Sequence, residues 1–230
     1  VSYNFNYNDQ KSNNPLYLLN KLEGWDKADS HALGTLPSVD EMLSTLDADN
    51  SSNDKTTRTT HEPSIALQKT FWGHVKDKDG KEIEDESWYA YLNARFRMPF
   101  AHERMDYQRG TQVDTLMTRN TALFRMDVTG EYSLFKRGRS IDFNYSLESS
   151  APMMTSLLNI RDDSNPLYVT LGNPNMKNTH RHSFYGQYRD KFGKTMFNAN
   201  ANVSIVQNAE AMGYIYNKET GVRTVTPDNV

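Results

Sequence analysis

Six histidines, His31, His61, His74, His102, His180 and His182, are the first places to look for chemistry in this 230-residue chain. His180 and His182 share one side of a predicted strand, a spacing that metal sites use. No third ligand is placed beside them by the sequence, and polar residues at a strand end account for the pair. The run DADNSSND, Asp47 to Asp54, opens like a calcium loop through Asp47, Asp49 and Ser51. It lacks the Gly at the sixth position, and Arg58 stands at the twelfth, where a bidentate Glu belongs, so it reads as a solvated loop tip. Asp162-Asp163 and the Glu82 to Glu86 cluster offer paired carboxylates, yet both fall in predicted turns without an apolar pocket to shift a pKa. Neither a G-x-S-x-G nucleophile motif nor a glycine-rich phosphate loop occurs. With no cysteine, disulfides, Cys-based zinc sites and Cys nucleophiles are excluded. The expectation is a chain that is not an enzyme and has no metal, no catalytic residue and no cofactor.

What the sequence does carry is a pattern. Period-two alternation runs over stretches of about ten residues, the length of a tilted strand that crosses a bilayer. Trp88, Ala90, Leu92, Ala94, Phe96 and Met98 point one way, and Tyr89, Tyr91, Asn93, Arg95 and Arg97 the other. From Ala122 to Leu134, Phe124, Met126, Val128 and Tyr132 oppose Arg125, Asp127, Thr129 and Glu131. Ile141, Phe143, Tyr145 and Leu147 oppose Asp142, Asn144, Ser146 and Glu148. Two further stretches follow the same rule, His182 to Arg189 and Phe197 to Ile205, as does Val1 to Tyr7 at the start. Less regular strands are predicted near Ser64 to Phe71 and Ala211 to Tyr216. The side chains opposite the apolar stripe, Arg95, Arg97, Arg125, Asp127 and Glu131, are the candidates to line a watery lumen. Aromatics gather toward strand ends in the manner of an interfacial girdle: Tyr3, Tyr7, Trp88, Phe96, Tyr132, Tyr145 and Tyr188.

Composition agrees. Thirteen Tyr against 10 Phe and 3 Trp suits surfaces apolar on one side and wet on the other. A hydrophobic share of 37% is low for a soluble domain of this size but natural for a barrel with one greasy and one watery face. The net charge of −3 has no basic surplus, which argues against nucleic acid as a partner. No apolar run reaches the length of a membrane helix. The chain opens on Val1-Ser2-Tyr3 with neither Met nor signal peptide, which reads as an internal or trimmed fragment.

Connections alternate in length. Tight turns are predicted at residues 136–139 and 190–194, with a slightly longer one at Asp79-Gly80. Long connections separate them: about 50 residues before His61, about 20 after Pro99 and about 30 after Glu148. Short turns at one end and long loops at the other describe an up-and-down outer-membrane barrel. The first long loop carries two helix signals. Asn14-Pro15 with Leu18, Leu19, Leu22 and Gly24 is one, and the capping box Ser38-Val39-Asp40-Glu41 is the other. The expected architecture is all-β: an antiparallel up-and-down meander of about eight strands, a section of a larger transmembrane β-barrel. Residues 1–230 form one partial barrel domain, with a long loop at 10–60 that contains short helices.

Two stretches add a family resemblance. Phe143 to Phe184 contains a strand, a Pro-led turn with Leu157 and Leu158, then Asp162-Asp163-Ser164-Asn165-Pro166 and the turn Gly172-Asn173-Pro174-Asn175. Arg97-Met98-Pro99-Phe100 with Glu103 to Gly110 (ERMDYQRG) forms a second signature. In this order they resemble the barrel of outer-membrane proteins related to TonB-dependent receptors, with Met176 where that family usually has Leu and Asn178 where Pro is common. Asn165, Pro166, Gly172, Asn173 and Pro174 are the turn residues that carry the likeness. The resemblance implies a Gram-negative cell outer membrane and contact with its lipid. It also implies uptake of a bulky solute, a plug and TonB system in the full-length protein, and in some cases a surface lipoprotein partner. Unpaired edge strands would favour self-association of the fragment. Two other readings stay open on the residues alone: a soluble β-sandwich that binds glycans through Tyr89, Tyr91 and Tyr185, and a small closed barrel with an adhesive or structural role. The sandwich requires a second layer over Phe124, Val128, Phe143 and Val203. The closed barrel requires Val1 to Tyr7 to pair near Tyr214.

Overall fold

A computed structural model describes residues 1–22, 37–111, 113–136 and 138–230, without the side chains of 84–86 and 164. Gly24, His31 and Arg137 therefore lie outside the described residues, as do the side chains of Glu84, Asp85 and Glu86. The strands are β1 (Ser2–Asn14), β2 (Ser52–Lys76), β3 (Glu82–Arg97), β4 (Phe100–Arg109), β5 (Val113–Ala122), β6 (Arg125–Leu134) and β7 (Arg139–Ser150), followed by β8 (Arg161–Asn165), β9 (Tyr168–Leu171), β10 (Thr179–Phe192), β11 (Thr195–Gln207), β12 (Glu210–Tyr216) and β13 (Arg223–Asn229). Two short helices are α1 (Val39–Ser44) and α2 (Met154–Leu157). The chain divides into two compact units, one of Val1–Phe5, Thr60–Phe100 and Thr121–Val230, the other of Asn6–Thr59 and Ala101–Asn120.

In the first unit the strand order is β11-β10-β7-β6-β3-β2, antiparallel throughout. Tight hairpins join β2 to β3, β6 to β7 and β10 to β11, and Gly80, Gly138 and Gly193 supply the positive φ those turns need. At the opposite strand ends the chain passes after Arg97 into β4, on the other side of β2, and leaves this sheet after Ser150. The predicted sorting of short and long connections is what the strand order displays.

Register turns the alternating pattern into two continuous faces. Lys69, Leu92, Gly130, Phe143, Gly186 and Ala201 stand in one row across six strands. A neighbouring row on that face holds Leu67, Ala94, Val128, Tyr145, Phe184 and Val203. The ring of Phe143 lies over Gly130, where an added Cβ would meet its Cε1 at 2.1 Å. Beyond such lateral contacts the face is uncovered: Leu67 is 60% exposed, Phe143 43%, Phe184 45% and Val203 52%. A sandwich core buries such residues almost completely, so the second layer that the sandwich reading requires is absent here among the described residues. Tyr214 pairs with Val225 and β1 pairs with β2, so the closed-barrel pairing of Val1 to Tyr7 near Tyr214 is not formed either.

The all-β antiparallel architecture is as expected, and the details are richer. Among the described residues there are thirteen strands rather than about eight, because the connections after Arg97 and Ser150 are themselves strands and Arg223–Asn229 adds one more. The connection after Ser150 supplies β8 and β9, which join β12 and β13 in a four-stranded sheet of order β12-β13-β9-β8. Its β9–β13 pairing is parallel, whereas its β12–β13 and β8–β9 pairings are antiparallel. The loop expected at 10–60 is narrower, since β1 runs to Asn14 and β2 starts at Ser52. The helix predicted after Pro15 is only a 3-10 turn, Leu19–Lys21, with no side-chain cap.

The second unit has β4 between β2 and β5, with β1 also on β2. Its loop is pinned by Asp47 N to Leu16 O at 2.8 Å, Leu16 N to Ser51 Oγ at 3.0 Å and a bridge between Tyr17 and Leu46. Asp47 spends its carboxylate on Asn50, through the backbone N–H at 3.2 Å and Nδ2 at 2.8 Å, so the DADNSSND run is a capped turn. The predicted capping box is formed: Glu41 N donates to Ser38 Oγ, while Ser38 N and Oγ donate to Glu41 Oε2 at 2.8 and 2.6 Å. Hydrogen bonds from the Ser38 side chain first, then its backbone, hold the Glu41 carboxyl below its usual range. A carboxyl lowered on folding stabilises the folded form above its unfolded pKa, about 4.3, and loses that contribution as pH falls through the lower folded value. The protection factors of the Glu41 and Met42 amides, relative to intrinsic exchange at each pH, are therefore expected to be flat from pH 7 to 5 and to fall below about pH 4, and Glu41→Gln should abolish that step.

Candidate functional site

Five side chains from four adjacent strands meet on the polar face of the first unit. Arg97 on β3 places Nη2 2.7 Å from Asp127 Oδ2 and 3.1 Å from Glu148 Oε1. Arg125 on β6 approaches Glu62 Oε2 at 3.5 Å and Glu148 Oε2 at 3.3 Å. Glu148 thus bridges two guanidinium groups, and the set carries two positive and three negative charges. The network is half-open: Glu148 is 46% exposed, whereas Glu62 is 17%. Such pairs contribute little singly, but shared partners hold four strands' side chains in one arrangement. Arg97 Nε is shielded from solvent without a hydrogen-bond acceptor, and Arg125 Nε has the 3.3 Å ion pair with Glu148 Oε2 without hydrogen-bond alignment, so these guanidiniums keep unused donor capacity.

The structure therefore brings Arg97, Arg125 and Asp127 of the predicted set together and adds Glu62 and Glu148. Arg95 and Glu131 stand apart. Arg95 is opposite Asp127 in register, but Asp127 is taken by Arg97, and Arg95 is exposed with no ion pair among the described residues. Glu131 lies between Tyr91 and Asp142, a like-charge neighbour whose nearest cation is Arg189 at 3.7 Å. Alternation alone could have found Glu148, which shares the wet side of β7 with Asp142 and Asn144. Glu62 sits in the less regular start of β2, where the pattern is weakest.

The turn residues form a clasp. Gly172 lies against the carbonyl of Leu158, so close that a Cβ would fall 1.6 Å from its oxygen. Asn173 N donates to Ser156 O at 2.7 Å, its Nδ2 donates to Pro227 O at 3.1 Å, and its Oδ1 accepts from Asn175 N at 3.0 Å. Asn165 Oδ1 accepts from Leu167 N at 3.1 Å, turning the chain around Pro166. Arg223 N then donates to Leu167 O, which carries the clasp into the parallel β9–β13 ladder. Pro174 follows Asn173 in the same turn. Each motif residue has a backbone reason, and none is aimed at a reacting group. The histidines are likewise occupied: His180 Nδ1 is 2.8 Å from Ser149 Oγ, and His182 Nδ1 is 3.0 Å from Tyr145 OH. Among the described residues no three His, Asp or Glu side chains converge as a metal site.

Residues 128–230 match the model of an outer membrane protein beta-barrel family. Over those residues the chain is similar to outer-membrane β-barrel proteins. Its location is the cell outer membrane. No curated protein and no solved structure matches it. The match begins within β6 and takes in the β6–β7 hairpin, the clasp and β10 to β13. Arg95, Arg97, Arg125 and Asp127 lie before it. Within the matched residues the clasp is the most demanding backbone geometry. Gly172→Ala is expected to expel the Gly172 turn from Leu158, seen as faster proteolysis within residues 150–178 and a lower unfolding midpoint. Gly186→Ala, which meets open space, should leave both unchanged.

Proposed function

We propose that this chain is a wall and loop segment of a TonB-dependent-receptor-like outer-membrane transporter, built for uptake of a bulky solute. The observation that carries the reading is the two-faced sheet of the first unit. One face bears uncovered Leu, Phe and Val in register, and the opposite one bears the Arg97–Asp127–Glu148–Arg125 network. From Trp88 to Met98 the strand advances about ten residues, which at ~3.3 Å each and a tilt of about 40° rises about 25 Å, the height of the apolar band in such barrels. On this reading the apolar face meets outer-membrane lipid and Arg95, Arg97, Arg125, Asp127 and Glu131 line the lumen. The role is non-catalytic. Energy coupling belongs to a plug and TonB system, with a surface lipoprotein as a further partner. The edge of β11, which pairs only with β10 among the described residues, supports strand pairing with further wall or with a second copy.

The absence of cysteine makes the test direct. Single Cys substitutions at Tyr91, Asn144 and Asn200 should react with a water-soluble maleimide in intact membranes, and those at Leu92, Phe143 and Val203 should not. Equal labelling of both sets would overturn the wall assignment. Phe143→Arg, near the middle of the apolar face, should cost about 2–4 kcal/mol of stability in lipid, whereas Thr129→Arg on the opposite face should cost far less. For transport, deleting the intact protein should abolish protonophore-sensitive uptake of solutes too bulky for general porins, and unchanged uptake would refute that role.

A further inference from the structure

The second unit contains an open groove that the barrel wall does not use. Two contiguous cavities, of about 340 and 460 Å³, share the side chains of Asn13, Asn53 and Gln108. Both volumes fall within the usual range of small-molecule sites. The first cavity is polar, and its floor follows from strand geometry. Lys11 and Asn13 on β1, Asn53 and Lys55 on β2, and Asp106 and Gln108 on β4 are three pairs spaced by two, so each pair faces one side of its strand. These three strands are neighbours. Asp54, between the two β2 residues of that floor, also borders the cavity, so the residues around it carry two ammonium and two carboxylate groups. Lys55 lies 3.7 Å from Asp9, but Lys11, Asp54 and Asp106 have no ion-pair partner among the described residues. The three shared amides are likewise free of hydrogen bonds within the described protein. Each amide presents a donor and an acceptor to whatever enters. The second cavity is apolar at its far end, where Pro15, Tyr17, Leu43 and Leu46 line it, and Leu43 and Leu46 are exposed.

We propose that this groove binds a short oligopeptide with free termini. The chemistry selects that class. A zwitterion matches a balanced set of two cations and two anions, and side-chain amides match peptide bonds, which need a donor and an acceptor side by side. An apolar side chain matches the Tyr17–Leu43–Leu46 end. A neutral saccharide leaves the charges of Lys11, Asp54 and Asp106 unanswered, and a simple lipid has no use for three converging amides. The site is independent of the lumen reading, since none of its residues lies on the polar face of the first unit.

The test is calorimetric titration of the full chain in detergent micelles with Gly-Gly-Leu and Leu-Gly-Gly. Parallel titrations use the same peptides acetylated and amidated at their ends, and maltotriose. Saturable binding of at least one free peptide, weakened tenfold or more by capping the termini, is the expected result. Asn53→Leu with Gln108→Leu should weaken it at least tenfold as well, with the circular-dichroism spectrum unchanged. The capping comparison uses the unaltered protein, so it decides even if the double variant unfolds. No saturable peptide binding, equal affinity for capped peptides, or tighter binding of maltotriose would overturn the proposal. Loss of peptide binding would leave the labelling pattern of the wall untouched, and the reverse holds too.

Discussion

Hydrocarbon cannot hydrogen-bond a peptide group, so a strand that crosses an outer membrane must find every backbone partner in its neighbours. That requirement shapes the first unit. Six strands pair antiparallel, in unbroken register apart from a shift between His74 and Lys76, and a slip by one residue would turn every Phe and Leu to the watery side and every Arg to the greasy one. The register is held from both ends of the strands. Tight glycine turns set it at one end, and at the other Met98 N bonds to Pro63 O and Leu123 N to Pro99 O where β3 and β5 give way to the next strands. On the apolar face, small residues under rings tighten the fit, as Gly130 does beneath Phe143.

On the polar face the same register decides which charges can meet. Arg97 reaches Asp127 on one neighbouring strand and Glu148 on the strand after it because all three fall near one level. A different charge logic operates in the second unit, where Glu103 is 5% exposed and is met by Arg119 Nε at 2.8 Å and Arg58 Nη1 at 3.5 Å. A carboxylate that deep needs its cations, since leaving it unpaired would cost several kcal/mol. Both networks tie neighbouring strands together with side chains where apolar contacts are scarce.

The clasp shows how a turn signature can be diagnostic without being catalytic. Gly172 is there because the Leu158 carbonyl occupies the space a side chain would take, and Asn173 because one amide side chain must serve Pro227 and Asn175 together. Around it Met154, Leu158, Val169 and Val225 form the small core of the first unit, buried to 5% exposure or less. Arg223 stacks on Tyr214 at 4.3 Å and lies 5.9 Å from Tyr168, joining the sheet's outer aromatics to that core.

By itself the sequence determined the strands whose two faces differ in polarity. β3, β6, β7, β10 and β11 were legible, with residues grouped on each face as the strand register groups them, because alternation is a local property that persists over about ten consecutive positions. The capping box at Ser38 was legible for the same reason. β4 and β5 were read as loop because the buried positions of β4 include Glu103 and Arg109, so polarity no longer marks the inside. The parallel partnership of β9 with β13, the bridging role of Glu148 between Arg97 and Arg125, and the convergence of Asn13, Asn53 and Gln108 were decided only by tertiary structure. Each joins residues from about 23 to about 95 positions apart, and no local period encodes a meeting set by how distant strands pair.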